Sequence, residues 1–217
     1  VRNIVAHYGR GACLRIRRED IFAPGVTANI SEILNEIGIS PTNADLILDL
    51  RSIVISDTQV YAGAITQFLT SLPIVSQLRT LTILSGGFPE NLSGFTPGLG
   101  FVPRSDWVLW YLILQQHGLP RKPSYGDYAI GHPDMPEIDP RTMRMSANIR
   151  YTTDNQWLIF RGRWLGDPRH GGFRQYHSLA QDVVNNPAYC GPMFSDGDDY
   201  INRVANMASG TGNQTNW

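Results

Sequence analysis

The sequence predicts an α/β fold, a (β/α)8 TIM-barrel-like array left incomplete because the chain reads as a fragment, with an open doubly wound sheet as the alternative. Three observations carry the prediction. Nearly continuous apolar strands alternate with helical patterns in the first half, as in parallel sheets covered on both faces. Polar residues recur at the carboxyl ends of those strands. The chain starts at Val1 and stops on TGNQTNW with no closing element. Its 217 residues, 42% hydrophobic and 17% charged, fit a single α/β domain over 1–217.

GACLRIRRED (Gly11–Asp20) reads as the first strand, with Leu14 and Ile16 on one face. Ile30, Ile33, Leu34 and Ile37 then recur at helical spacing, with Asn29 and Glu32 as a capping pair. ADLILDL (Ala44–Leu50) is the second strand; its helix starts near Asp57 and is expected to bury Val60, Ile65, Phe68, Leu69 and Leu72. LRTLTILSGG is the third strand, and SDWVLWYLILQQHG its helix, capped by Ser105. YGDYAIGH supplies a fourth strand centred on Tyr128–Ile130. ANIRYT and QWLIFRGR, joined by TDN, read as a hairpin. Two helices follow, presenting Tyr176, Leu179 and Val183, then Tyr200, Ile201 and Val204.

Composition excludes several classes. No apolar run approaches the roughly 20 residues of a membrane span, and the first residues carry no signal-peptide pattern. Cys13 and Cys190 fit no metal or redox spacing and read as reduced thiols. A cytoplasmic protein without a membrane partner is expected. The net charge of −1 makes the whole chain no electrostatic partner for nucleic acid. Among 18 basic residues, however, Lys122 is the one lysine, and arginine is the better fork for phosphate. No HExxH, DxDxDG or Cys/His pattern appears, so no metal site is expected, and no cofactor is named by the residues.

In either α/β architecture ligands bind where strands end. Read in order, those ends give Arg17, then Asp49, then Gly86 and Gly87 in SGGF, whose backbone N–H groups could cradle phosphate. Asp127, Tyr128 and His132 follow on the fourth strand, Arg150 and Tyr151 on the fifth, and Arg161 and Arg163 on the sixth. Asp49, Asp127 and His132 are the candidate catalytic groups, able to exchange protons. Arg17, Gly86, Gly87, Tyr128, Arg150, Tyr151, Arg161 and Arg163 are the candidate ligand contacts. Cations and aromatics interleave between Arg150 and His177, as on many nucleic-acid surfaces. The expected ligand is a phosphate-bearing molecule, a nucleotide or nucleic acid, bound or hydrolysed. These residues do not decide between catalysis and plain binding.

The succession SGGFP, PRSDWVLW, YGDYAIGHP, ANIRYT, WLIFRG, FRQYHSLA, FSDGDDYI and GNQTNW resembles the phage-type "beta protein" family, which is also widespread in bacteria. The resemblance implies that GDY, IRYT, FRG and GD are family blocks, here Gly126–Tyr128, Ile149–Thr152, Phe160–Gly162 and Gly197–Asp198. It implies a longer protein whose further strands would extend the array, and little chemistry. By association it suggests the alternative function: a non-catalytic component, with other protein subunits, of a phage or anti-phage defence assembly.

Overall fold

The computed structural model describes residues 1–129, 131–134 and 144–211. In chain order its elements are α1 (Arg2–Tyr8), β1 (Ala12–Arg17), α2 (Arg18–Ile21), α3 (Val26–Ile37), β2 (Ala44–Ser52), α4 (Thr58–Ser71), β3 (Thr80–Gly86), β4 (Gly98–Pro103), α5 (Ser105–Leu114), β5 (Ser124–Asp127), β6 (Ser146–Thr152), β7 (Gln156–Trp164), α6 (Gln175–Val184) and α7 (Asp196–Ala205). They form two compact units, Val1–Glu90 with Arg104–Met135, and Asn91–Pro103 with Pro136–Trp217.

The first unit is built on a parallel sheet in the order β1-β2-β3-β5. Alternation along β2 and β3 sends Leu46, Leu48, Leu50, Leu81 and Ile83 into the core. There they join Ile30 and Leu34 of α3, Ile65 and Leu69 of α4, and Leu109 and Ile113 of α5 in one buried cluster. The opposite alternation places Arg15, Arg17, Asp45 and Asp49 on the other side of β1 and β2. Three expectations shift. α5 is entered from Arg104 with no side-chain cap, so Ser105 is its first residue rather than its cap. α3 starts at Val26 after a left-handed Gly25, so Asn29 and Glu32 lie inside the helix rather than capping it. On α4, Ala62 takes the buried place expected of Val60, which is 73% exposed.

The fourth strand is where the sequence reading moves most. β5 covers Ser124–Asp127 and stops there, and Ala129 adopts φ 51°. A residue in the left-handed region cannot continue a strand. Asp127 therefore lies at the carboxyl end of β5, in register with Ser85 of β3. Ile130 and most of the proline-rich loop, 135–140, fall outside the described residues, as does the GNQTNW block.

The second unit carries a three-stranded antiparallel sheet, β4-β7-β6. The TDN linker is too short for a parallel crossover, which needs a dozen or more residues, so β6 and β7 pair as a hairpin. Hence the described strands do not close into a barrel. The four parallel strands form an open array, compatible with the open α/β alternative. β6, β7 and α6 enclose a core of Ala147, Tyr151, Leu158, Phe160, Leu179 and Val183. Among the described residues no helix is long and apolar enough to cross a membrane. Cys13 and Cys190 are free and exposed.

The packing of α4 gives a direct test. Ile65→Ala should cost about 2–5 kcal/mol in chemical denaturation, whereas Val60→Ala should stay within about 0.5 kcal/mol of the parent. Equal losses would mean that α4 presents a different face.

Candidate functional site

The carboxyl ends of the parallel strands gather an unusual set of buried polar groups. Asp49, Ser85, Ser105 and Asp106 are each at most 3% exposed. Asp49 interrupts the apolar run of β2 just before its last buried residue, Leu50. Arg15 of β1 donates to its Oδ2 from Nε at 2.9 Å and from Nη2 at 2.6 Å. Tyr128 Oη donates to Oδ1 at 2.6 Å, and the Arg51 backbone N–H donates to the same oxygen at 3.0 Å. Arg15 Nη2 also donates to Tyr128 Oη at 2.8 Å, closing the triangle. Burial pushes the Asp49 carboxyl up, but the hydrogen bonds from Tyr128, Arg15 and Arg51 outweigh it and hold the pKa below the ordinary carboxylate value. Asp49 is thus a fixed anion with its acceptor capacity filled.

The turn after β2 is bent to make this possible. Register slips between Asp49 and Ser52, and Arg51 adopts φ 56°. Its side chain then pairs with Asp134 and donates from Nη2 to the Pro133 carbonyl at 3.4 Å. The same device recurs at β5. Asp127 Oδ1 accepts the N–H of Ala129 at 3.0 Å, and Ala129 is again left-handed. Two aspartates at strand ends therefore each hold a non-glycine residue, two positions later, in a sparsely populated conformation. Such conformations cost of order 1–3 kcal/mol and cluster at ligand sites.

Beside Asp127 lies a second polar chain. Tyr125 Oη hydrogen-bonds to Asp106 Oδ2 and sits 3.0 Å from Asp127 Oδ2. Trp107 and Trp110 pack edge-on against the Tyr125 ring, at 5.1 and 5.8 Å between centroids. Burial dominates the strong upward shift of the Tyr125 phenol, with Asp106 adding to it. Burial likewise raises the Asp106 carboxyl against the opposing pull of Tyr125, the first N–H groups of α5 and Arg104.

The two glycines of SGGF have packing reasons for being there. A Cβ on Gly86 would stand 3.3 Å from Pro133 and 3.4 Å from the Tyr128 ring, so its bareness lets Tyr128 cross the end of β3 to reach Asp49. A Cβ on Gly87 would lie 2.6 Å from Asp106 Oδ1 and 2.8 Å from the Ser105 nitrogen, so Gly87 admits the start of α5. His132 accepts the Asp134 N–H on Nδ1 at 3.1 Å, which leaves Nε2 as the donor end of the ring. Arg17, opposite Asp49 in register, is exposed, and its side chain makes no hydrogen bond or ion pair among the described residues.

Asp49, Asp127, His132, Arg17, Gly86, Gly87 and Tyr128 thus all belong to the first unit. Arg150, Tyr151, Arg161 and Arg163 belong to the second, where an antiparallel sheet has no common carboxyl edge. Tyr151 donates to Asp198 Oδ1 at 2.7 Å and accepts the Cys190 N–H at 2.9 Å, tying β6 to the start of α7. Arg161 spends Nη1 on the carbonyls of Leu92 and Phe95, and Nε on Ser146. Arg150 donates to Asn148 Oδ1 at 3.3 Å, and burial lowers its pKa. Arg163 is exposed and lines a groove of about 430 Å³ with Arg144 and Trp164, whose ring lies 5.5 Å from the Arg144 guanidinium. Sequence reasoning missed Arg15, Asp106 and Tyr125. For Arg15 the signal was its place on the Asp49 side of β1; for Asp106 it was an acid directly after the close-packed SGGF turn.

Tyr128→Phe removes one donor from a buried anion and should cost about 1–3 kcal/mol at neutral pH. A carboxylate with a depressed folded pKa stabilises above its unfolded value of about 3.9, and that stability is lost as pH falls through the folded value. The variant, with a higher folded value, has less of this stability to lose, so on acidification the parent should lose more and the gap between them should close once both are protonated. Denaturation curves over that range that differ by a constant amount would contradict this account of Asp49.

A family model described as Beta protein matches residues 1–217. No curated protein and no solved structure matches the chain.

Proposed function

The chain belongs to the Beta protein family, and from its own geometry we propose that the carboxyl edge of the parallel sheet binds a phosphate-bearing molecule, a nucleotide or a nucleic-acid end. Arg17 holds the phosphate, Asp127 and His132 exchange protons with the ligand, and Asp49 fixes the frame on which they stand. The observation that carries the reading is Arg17, an exposed guanidinium without a partner among the described residues, beside an Asp49 already neutralised by Arg15. A guanidinium placed so is available to an outside anion. The strand spacing of about 4.8 Å sets β1 and β5 roughly 14 Å apart. The ligand is therefore elongated, with its anionic end over β1 and its reactive end over β5. Asp127 keeps acceptor capacity beyond its bonds to Ala129 and Tyr125.

Calorimetric titration with inorganic phosphate and with nucleoside mono-, di- and triphosphates tests this. Binding is expected, and Arg17→Ala should weaken it about tenfold, the ~1.4 kcal/mol expected at least of a charged hydrogen bond, without changing the thermal midpoint. Absence of binding in the parent, or an unaffected Arg17→Ala variant, would overturn the reading.

A second reading, a non-catalytic component of a phage or defence assembly, is favoured by a different observation. Met193 and Phe194, adjacent in the second unit, are 97% and 71% exposed, and exposed apolar side chains side by side suit a protein contact. Phosphate-independent association lost in Met193→Ser/Phe194→Ser would support it; a monomer unaffected by that change, in the presence of its neighbouring phage or host proteins, would count against it.

A further inference from the structure

The Tyr125 hydroxyl stands between two carboxylates, within hydrogen-bond distance of Asp106 Oδ2 and of Asp127 Oδ2. A phenol has one proton and cannot donate to both. Two anionic acceptors facing one hydroxyl also repel each other, and two carboxylates sharing a site resolve the conflict by keeping a proton between them. Asp106 is the one placed to carry it. It is 1% exposed, and although the Asp106 and Trp107 N–H groups at the start of α5 lie toward its carboxyl, none meets Oδ1 in hydrogen-bond geometry, so that oxygen is buried without a partner among the described residues. A buried carboxylate anion with an unfilled oxygen is costly, whereas a neutral carboxylic acid is not. Asp127, by contrast, is exposed at the end of β5.

We propose that Asp106, Tyr125 and Asp127 form a tyrosine-bridged dyad holding one shared proton, which makes Asp127 competent as either acid or base toward the ligand. In one arrangement the Asp106 carboxylic acid donates to the phenol oxygen, and the phenol donates to an anionic Asp127. In the other, the Asp106 proton has passed to the phenol oxygen and the phenol proton to Asp127; Asp106 is the anion and Asp127 the acid. The proton count is the same in both, and no oxidant or further reactant is needed. As a base, Asp127 takes a proton from the ligand in the first arrangement; as an acid, it gives one in the second. Asp106 and Tyr125 are positioning residues, acting through Asp127.

The surroundings set the balance. Arg104 flanks the start of α5 and pulls Asp106 and Tyr125 toward their anionic forms, as the first N–H groups of α5 do for Asp106. Burial opposes both and prevails. Trp107 and Trp110 pack edge-on against the phenol ring, while the Arg104 side chain hydrogen-bonds its hydroxyl and is the one cation facing the dyad among the groups acting on Tyr125.

The role in proton exchange rests on the ligand site proposed above, but the shared proton does not, and it is measurable in the unliganded protein. Carbon-detected NMR of the aspartate side chains should show the Asp127 signal responding as Asp106 changes protonation, the two signals moving together as interacting sites do. Tyr125→Phe should uncouple them. If that variant fails to fold, Asp106→Asn supplies the second arm. The parent takes up the dyad proton on folding, so its stability falls as pH rises from the ordinary carboxylate range through the raised folded value of Asp106; Asp106→Asn, neutral throughout, should lack that decline. Independent single-step titration of the two aspartates in the parent would overturn the dyad. Coupled titration without binding of any phosphate ligand would leave the dyad standing and overturn only the ligand assignment.

Discussion

A carboxylate buried at the end of a central strand governs the architecture around the site. Asp49 lies near the carboxyl end of the most apolar strand of the parallel sheet, where an anion is tolerated only when its lone pairs are filled. Filling them recruits three separate pieces of chain: Arg15 from the neighbouring strand, Tyr128 from beyond β5, and the Arg51 backbone from the bulge that follows. Each recruitment has a local consequence. Tyr128 can arrive because Gly86 leaves its path clear. Arg51 accepts a left-handed backbone and, once turned, holds Asp134 and the Pro133 carbonyl. The loop bearing His132 is thus anchored through the same aspartate.

This division of labour separates the two acidic groups that look alike in the sequence. Asp49 has no acceptor capacity left and serves the frame. Asp127 uses the same backbone device, an aspartate accepting the N–H two residues on, yet stays exposed and in contact with Tyr125. The difference lies in neighbours rather than in the residue: Asp49 has a cation to neutralise it, and Asp127 faces another carboxylate through a phenol. One environment fixes a charge and the other leaves a proton free to move.

The strongly periodic elements were legible in the sequence. Apolar alternation and helical spacing found β1 to β3, the β6–β7 hairpin and helices α3 to α7, because burial on one face writes itself into the residue order. α1, with no buried residue, and β4, glycine-rich and largely exposed, left no such trace. The apolar triplet Tyr128–Ile130 drew the fourth strand too far along the chain, since the backbone turn at Ala129 is imposed by a hydrogen bond to Asp127 rather than by a turn residue. Position at a strand end put forward Asp49, Asp127 and Arg17, and all three lie toward the carboxyl ends of parallel strands. The same rule applied to Arg150, Tyr151 and Arg161 picked out residues of an antiparallel sheet, where adjacent strand ends point in opposite directions and the side chains are engaged in internal hydrogen bonds. Arg15 and Asp106 escaped because what distinguishes them is a partner distant in sequence.

The most direct measurement is backbone and side-chain NMR shift mapping of the labelled protein titrated with a nucleoside monophosphate. Perturbations concentrated on Arg17, Arg51, Asp127, Tyr128 and His132, with the Asp49 side chain unmoved, are the predicted result. Shifts confined to the Arg144–Arg163 groove, or none at all, would contradict a ligand site at the carboxyl edge of the parallel sheet.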